Sequence, residues 1–431
     1  MASPYAAYRD IIGRHDHDLL ERVASALRDR EVVMVNSTRE GGGVAEILQN
    51  MIPLMNELGL KVTWEVVEGN PGFFACTKTL HNALHGRSEP LTEAMVKAYW
   101  DTTRANAERL SKVLDREIVF IHDPQPAGLI RHLRREGQRW VFRCHIDVSA
   151  PHPPAWDFLR PLVEAHDASV FSHPSFSQKL GIPQFLIPPS IDPLSDKNKP
   201  LPDDFVAKTL ARFGLDPRRP LVTQISRFDK LKDPLGVIGA FALVKKTHPH
   251  AQLLLAGGGA TDDPESAHIL PAIQEAASRD KDIHVLELPP FSDLEINALQ
   301  RGSSVVLQKS LKEGFALTVA EALWKERPVV ATAVGGIPLQ VLNGKTGWLV
   351  HSVEGAAYAI RRVLERPEEA AALGRQGREH VRRNFLITRH MREYLSLFLC
   401  ALHPGQDPVE LRVAGAGEPP EPEGGPSRNN N

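Results

Sequence analysis

Cysteine is scarce in this 431-residue chain. The three that occur, Cys76, Cys144 and Cys400, are odd in number, far apart and outside any CxxC spacing. That pattern speaks against both a disulfide framework and a zinc site. Long apolar runs are missing as well: no stretch approaches the roughly eighteen uninterrupted residues a membrane helix needs. The segment MASPYAAYRDIIGRHDHD carries charges and histidines where a signal peptide needs an apolar core. The expectation is a protein of the reducing cytoplasm. Neither sign of charge dominates, since 51 Lys plus Arg face 53 Asp plus Glu for a net charge of -2. No sequence-wide field exists to hold a nucleic-acid backbone or an anionic membrane, so phosphate recognition must be local. Metal-binding patterns are absent too, with no HExxH and no Asp-x-Asp after a predicted strand to hold a nucleotide's divalent ion. No metal site and no tightly bound cofactor are expected, and magnesium has no ligand motif.

What is present is ordinary globular material, 42% hydrophobic and 24% charged, in a chain long enough for about two domains. Short β-branched runs alternate with longer amphipathic stretches, the pattern of βαβ units around parallel sheets. The fold class is therefore α/β. Strands are predicted at Glu31–Asn36, Lys61–Val67, Glu117–His122, Arg139–His145 and Ala168–Ser172. A second set lies at Leu221–Ser226, Gln252–Ala256, Ile283–Leu286, Ser304–Gln308 and Val329–Ala331. Two sets of five imply two doubly wound sheets. The boundary falls in PPSIDPLSDKNKPLPDD, residues 188–204, which has a linker's composition. The predicted domains are 1–195 and 205–381. From Pro404 the chain is rich in Pro, Gly and Glu, and 404–431 reads as a disordered tail.

Ligands of doubly wound folds bind at the carboxyl ends of strands, and four loops there carry chemistry. Asn36-Ser-Thr-Arg-Glu-Gly-Gly-Gly43 runs from a strand into a helix; Gly41, Gly42 and Gly43 either form a plain flexible turn or let the backbone approach an anion or sugar at a helix N-terminus. It is neither a GxGxxG fingerprint nor a P-loop. Ser226-Arg-Phe-Asp-Lys-Leu-Lys-Asp-Pro234 places Arg227 and Lys232 in one loop, either a solvated basic turn or a cation pair for a diphosphate. Ala256-Gly-Gly-Gly259, one strand over, can shape the same crevice. Glu313-Gly-Phe-Ala-Leu-Thr-Val-Ala-Glu321 sets one carboxylate in a loop and a second about one turn into the helix, a pair suited to vicinal hydroxyls. Backbone N–H groups of Gly314, Phe315, Ala316 and Leu317 are the unpaired donors of that helix start. Arg143-Cys-His-Ile-Asp147 offers His145 as a donor to a hydroxyl, or as a structural histidine. His81, His85, His152 and His173 read as ordinary members of a set of 18.

Taken together, SRFDxxKDP, the later E-x7-E and the glycine loop resemble the retaining glycosyltransferases of family 4, over nearly the whole chain except the tail. The strings VNSTREGGGVAEIL and QKSLKEGFALTVAEALWKERPVVATAVGGIPLQV look like trehalose glycosyltransferring synthases and, next to them, retaining trehalose phosphorylases. The resemblance implies the GT-B fold, two facing Rossmann-like domains with a cleft between them, and a last helix, 382–402, that crosses back onto the first domain. It implies that Arg227 and Lys232 hold the diphosphate, Glu321 the ribose, Glu313 the donor hexose and His145 a hydroxyl of that hexose. Gly41–Gly43 would lie over the donor phosphate and the acceptor. One departure stands out: Asp233 follows Lys232 where the family commonly has Gly.

The implied reaction joins an ADP-, UDP- or GDP-glucose donor to glucose, reversibly, giving trehalose. The alternatives are phosphorolysis of trehalose, another family 4 hexosyl transfer, a non-catalytic sugar-nucleotide sensor and, weakest, a Rossmann dehydrogenase. Small-molecule sugars and nucleotide sugars are the expected partners, and the reading is compatible with a homodimer.

Overall fold

The computed structural model describes residues 4–258 and 265–405. Gly259 and nearly all of the expected tail lie outside the described residues. Two six-stranded sheets organise the rest, both wholly parallel. The first contains β1 (Glu31–Asn36), β2 (Lys61–Val66), β3 (Ile118–His122), β4 (Arg139–Arg143), β5 (Ala168–Phe171) and β6 (Gln184–Leu186), ordered β2-β1-β3-β4-β5-β6. The second contains β7 (Leu221–Ile225), β8 (Gln252–Gly257), β9 (Ile283–Glu287), β10 (Val305–Gln308), β11 (Val329–Thr332) and β12 (Trp348–Val350), ordered β12-β11-β10-β7-β8-β9.

A parallel sheet covered on both faces needs apolar side chains in both directions. In β1, Val32 and Met34 enter one core cluster while Val33 and Val35 enter the other, and in β3 Ile118 and Phe120 alternate likewise with Val119 and Ile121. β8 repeats the device, with Leu253 and Leu255 on one face and Leu254 and Ala256 on the other.

The sequence predicts five strands per sheet, and the sixth in each case is a three-residue rim strand, β6 or β12. Three residues are too few to show a period, and β6 lies between Pro183 and Pro188. The expected final helix 382–402 is also divided. Pro367–Asn384 ends one helix and Ile387–Leu402 is another. Between them Phe385 is held against Phe315, ring centroids 5.5 Å apart. Leu386 bridges Ile191, with Ile191 N–H donating to the Phe385 carbonyl and Ile387 N–H to that of Ile191, both 2.9 Å. The two strands of chain that pass between the halves are thus zipped together. Beyond them Ile387, Met391, Tyr394 and Phe398 join the core of the first sheet.

Burial depresses the pKa of several histidines: to about 3 for His122 and about 4 for His85 and His166, and well below the ordinary value for His81, His145 and His390. A base depressed in the folded state binds fewer protons there than when unfolded. Its contribution is complete above about pH 6.5 and is lost as pH falls towards the folded value. Asp123, raised by burial to about 7, and the likewise raised Glu46 and Asp192 act in the opposite sense, but they are three groups against six. Melting temperature should therefore fall steeply from pH 6.5 to 4.5. A thermal-denaturation series that is flat over that range would contradict the neutral-histidine reading.

Candidate active site

Each sheet reverses its winding once, and that is where its ligand crevice opens. In the first sheet the reversal lies between β1 and β3, so the glycine loop after β1 and Asp123 after β3 flank it, with Cys144–Asp147 beyond β4 beside them. In the second it lies between β7 and β10, which brings Arg227 and Lys232 beside the loop that carries Glu313.

Lys232 Nζ and Glu313 Oε2 are 2.5 Å apart, and Ser310 Oγ donates to the same oxygen at 3.1 Å. Both charged side chains are largely enclosed, at 15% and 11% exposure, so little solvent screens the pair. Arg227 is more open, with Nη2 at 3.5 Å from Asp229 Oδ2. Asp229 also shapes the loop, since its Oδ1 accepts from the Leu231 N–H at 2.7 Å. The departure at Asp233 has a local explanation. Its backbone is left-handed, φ 47°, as a glycine's there would be. Aspartate tolerates this region better than most residues. Its side chain accepts from the Gly236 N–H at 3.1 Å, capping the helix Pro234–Lys245, and pairs with Lys309.

The helix Leu317–Trp324 begins with no side-chain cap, behind Ala316 at φ 70°, so its first N–H groups are left for a ligand. Phe315 is turned away and buried, its carbonyl accepting from Gln340. Glu321 is also buried, 1% exposed, with Oε2 accepting from Gln300 Nε2 at 3.1 Å.

The first half closes over this set. Gly43 opens the helix Gly43–Glu57, and a Cβ on it would lie 2.8 Å from Leu317 Cδ1. The first residues of two helices thus meet, and two positive helix ends converge where an anion would sit. Gly41 and Gly42, at φ 76° and 82°, make the turn that allows it. Arg39 steadies the loop by donating to the Trp64 carbonyl at 2.6 Å and stacking over the Trp64 ring. His145 approaches through its backbone, its carbonyl facing Gly314. Its Nε2 is 3.1 Å from His122 Nδ1, and its N–H donates to Asp123 Oδ1 at 2.7 Å. His145 is thus a neutral ring with one nitrogen already engaged.

Two residues read as ordinary in the sequence belong to this cleft. His81 and His85 come from the end of the helix Pro71–Leu84, with their rings edge to face at 4.7 Å. His85 feels the charges of Asp147, Glu313, Lys232 and Lys312, and His81 that of Arg227, so both lie within electrostatic reach of the cation pair. Nδ1 of each is buried and has no partner among the described residues. The signal was the i, i+4 spacing, which puts both on one helix face. Among the described residues, the one group with metal-ligand spacing is His17, Asp18 and Glu21. It lies on the helix Arg14–Ser25, outside these loops. No described helix is long and apolar enough to cross a membrane.

Residues 34–178 match the family described as "Trehalose synthase, N-terminal domain", and residues 207–380 the one described as "Glycosyl transferases group 1". A trehalose synthase of Thermococcus litoralis is 45% identical over 394 residues, 90% of this chain and 95% of that one. A trehalose phosphorylase of Pleurotus pulmonarius is 30% identical, spanning 82% of this chain but 54% of its own. Among solved structures, a sucrose-phosphate synthase from Thermosynechococcus elongatus superposes with TM-score 0.68 at 19% identity, covering 86% of this chain and 98% of that one. At that identity the likeness concerns the fold, which is GT-B.

Proposed function

Because this chain belongs to the trehalose synthase family of glycosyltransferases, we propose that it moves a glucosyl unit, with retention, between a nucleoside diphosphate and glucose, making trehalose reversibly. The observation that carries the proposal is the cluster at the second sheet's reversal. A cation pair, a paired carboxylate and an uncapped helix start face one cleft that the first half covers.

In this reading Arg227 and Lys232 take the diphosphate, with the N–H groups of Gly314–Leu317 around it. Glu313 accepts from hexose hydroxyls, with Lys232 and Ser310 fixing its orientation. Glu321 accepts from the ribose, and His145 donates to the hexose through its free nitrogen. His81, His85 and the Gly41–Gly43 loop form the acceptor side. A double displacement would need a carboxylate free to attack the anomeric carbon. Glu313 is held by Lys232 and Ser310, while Asp147 Oδ1 accepts from both the N–H and the Oγ of Ser149, at 3.0 and 2.6 Å. Front-face transfer fits better. The leaving diphosphate oxygen takes the acceptor hydroxyl's proton while the cations stabilise its charge.

Incubating the protein with trehalose and ADP, UDP or GDP should yield the matching NDP-glucose and free glucose. Glucose 1-phosphate formed only with inorganic phosphate would transfer the reading to phosphorolysis. No product from either co-substrate would end it.

A further inference from the structure

Lys197 lies outside every motif of the sequence and outside the diphosphate pair, yet it stands where the two halves meet. The segment that carries it is fixed to the second half. Asn297 Nδ2 donates to the carbonyls of Asp196 and Lys199 at 2.9 and 2.8 Å. Arg301 Nη2 donates to those of Asn198 and Lys199 at 3.1 and 3.0 Å. Lys325 Nζ donates to Asn198 Oδ1 at 2.8 Å. From that base the Lys197 ammonium reaches Glu46 Oε2 at 2.6 Å and Asp293 Oδ1 at 3.5 Å.

Glu46 is in the first turn of the helix Gly43–Glu57, three residues beyond the glycine that touches Leu317. Glu321 is four residues beyond Leu317 on the facing helix. Burial raises the pKa of Glu46, Lys197 opposes it, and Glu321 raises it further, so the two carboxylates feel each other through a poorly solvated space. For Lys197, burial works against the charged form, but Glu46, Glu321 and Asp293 outweigh it and raise the pKa. The Lys197 ammonium thus pairs with Glu46 on one of the two helices whose starts converge on the anion site, while Lys325 lies beside Glu321 on the other, joined to it through Gln300.

We propose that Lys197 is a positioning residue for glucosyl transfer: from a base fixed to the second half, it pairs with Glu46 and holds the glycine loop closed over the start of the helix Leu317–Trp324. The proposal rests on the reading of the site given above. Without the ammonium, Glu46 is a buried carboxylate that has lost its paired cation, and separating the helices lets water reach it. That movement lifts Gly41–Gly43 away from the donor and the acceptor.

Two readouts test it on the full chain, comparing Lys197→Met with the charge-conserving Lys197→Arg. The first needs no turnover. Arg39 is exposed in the glycine loop, and loosening of the loop should speed tryptic cleavage after it by about ten-fold in unliganded Lys197→Met, with Lys197→Arg near wild type. The second is kinetic. In trehalose synthesis, KM for glucose should rise about ten-fold in Lys197→Met, while affinity for the nucleoside diphosphate that supports turnover stays within about three-fold. A purely structural role lowers melting temperature and the active fraction but leaves KM unchanged. Unchanged cleavage together with unchanged KM would overturn the proposal. If the wild-type protein makes no trehalose, the functional reading fails and the proteolysis still decides the role of Lys197. Should Lys197→Met not fold, Glu46→Gln breaks the same tie without leaving a buried carboxylate unpaired, and is expected to shift both readouts in the same direction by a smaller factor.

Discussion

Lys232→Ala should lower turnover by about 10²–10³-fold, the range seen when a preorganised charge donor is removed from a developing anion. The ammonium sits at 2.5 Å from Glu313, enclosed on both sides of the pair, so its field acts with little screening. Its loss has two consequences that add. In the proposed reaction the leaving diphosphate loses a cation, and Glu313 keeps a buried negative charge to which, among the described residues, Ser310 donates. Donor binding should weaken as well, because a bare carboxylate beside a diphosphate repels it. Initial rates of trehalose synthesis at saturating donor measure the first effect, and calorimetric binding of the nucleoside diphosphate measures the second. A variant within three-fold of wild-type turnover would remove Lys232 from the reaction.

The grouping of Arg227, Lys232 and Glu313 was legible in the sequence because each lies in the loop that follows a strand. Arg227 and Lys232 come after β7 and Glu313 after β10, and the reversal of winding between those two strands brings their loops together. Short-range order in the chain was enough to place them. The other side was not legible in that way. His81 and His85 lie at the end of a helix, not at a strand end, and nothing in their spacing shows that the end of the helix Pro71–Leu84 comes within electrostatic reach of Lys232. Lys197 was part of a segment identified by its linker composition, and composition does not reveal that Asn297, Arg301 and Lys325 fix that segment in place. Glu321 was expected in the cleft, and composition gave no sign of Gln300, which donates to one of its carboxylate oxygens. In the fold itself, long apolar strands such as β1 and β3 announced themselves, while β6 and β12, three residues each, left no period to read. The break at Phe385–Leu386 was hidden for a related reason. It is imposed by Ile191 and Phe315, which are distant in sequence.

Gly314→Ala should reduce turnover by about 10²-fold while leaving the melting temperature near that of the wild type. The contrast follows from where the added methyl would go. Gly314 does not have a left-handed backbone, so alanine can adopt its conformation without strain. The atoms a Cβ would meet within 4 Å belong to His145, with the carbonyl oxygen at 2.3 Å, and they come from the other half of the molecule. The second half can therefore fold around the substitution, but the first cannot come as close as it does here. Displacing the closing half by even 1 Å costs about 10²-fold in a reaction that depends on alignment. Gly335→Ala provides the control. Its φ is 54°, and its Cβ would fall 1.6 Å from the Glu313 carbonyl oxygen within the same half. That substitution must strain the loop bearing Glu313 itself, and it should lower melting temperature and turnover together. If Gly314→Ala behaves like Gly335→Ala, the glycine is needed for folding and the approach of His145 is incidental. If it is as active as wild type, closure to this distance is not required for transfer.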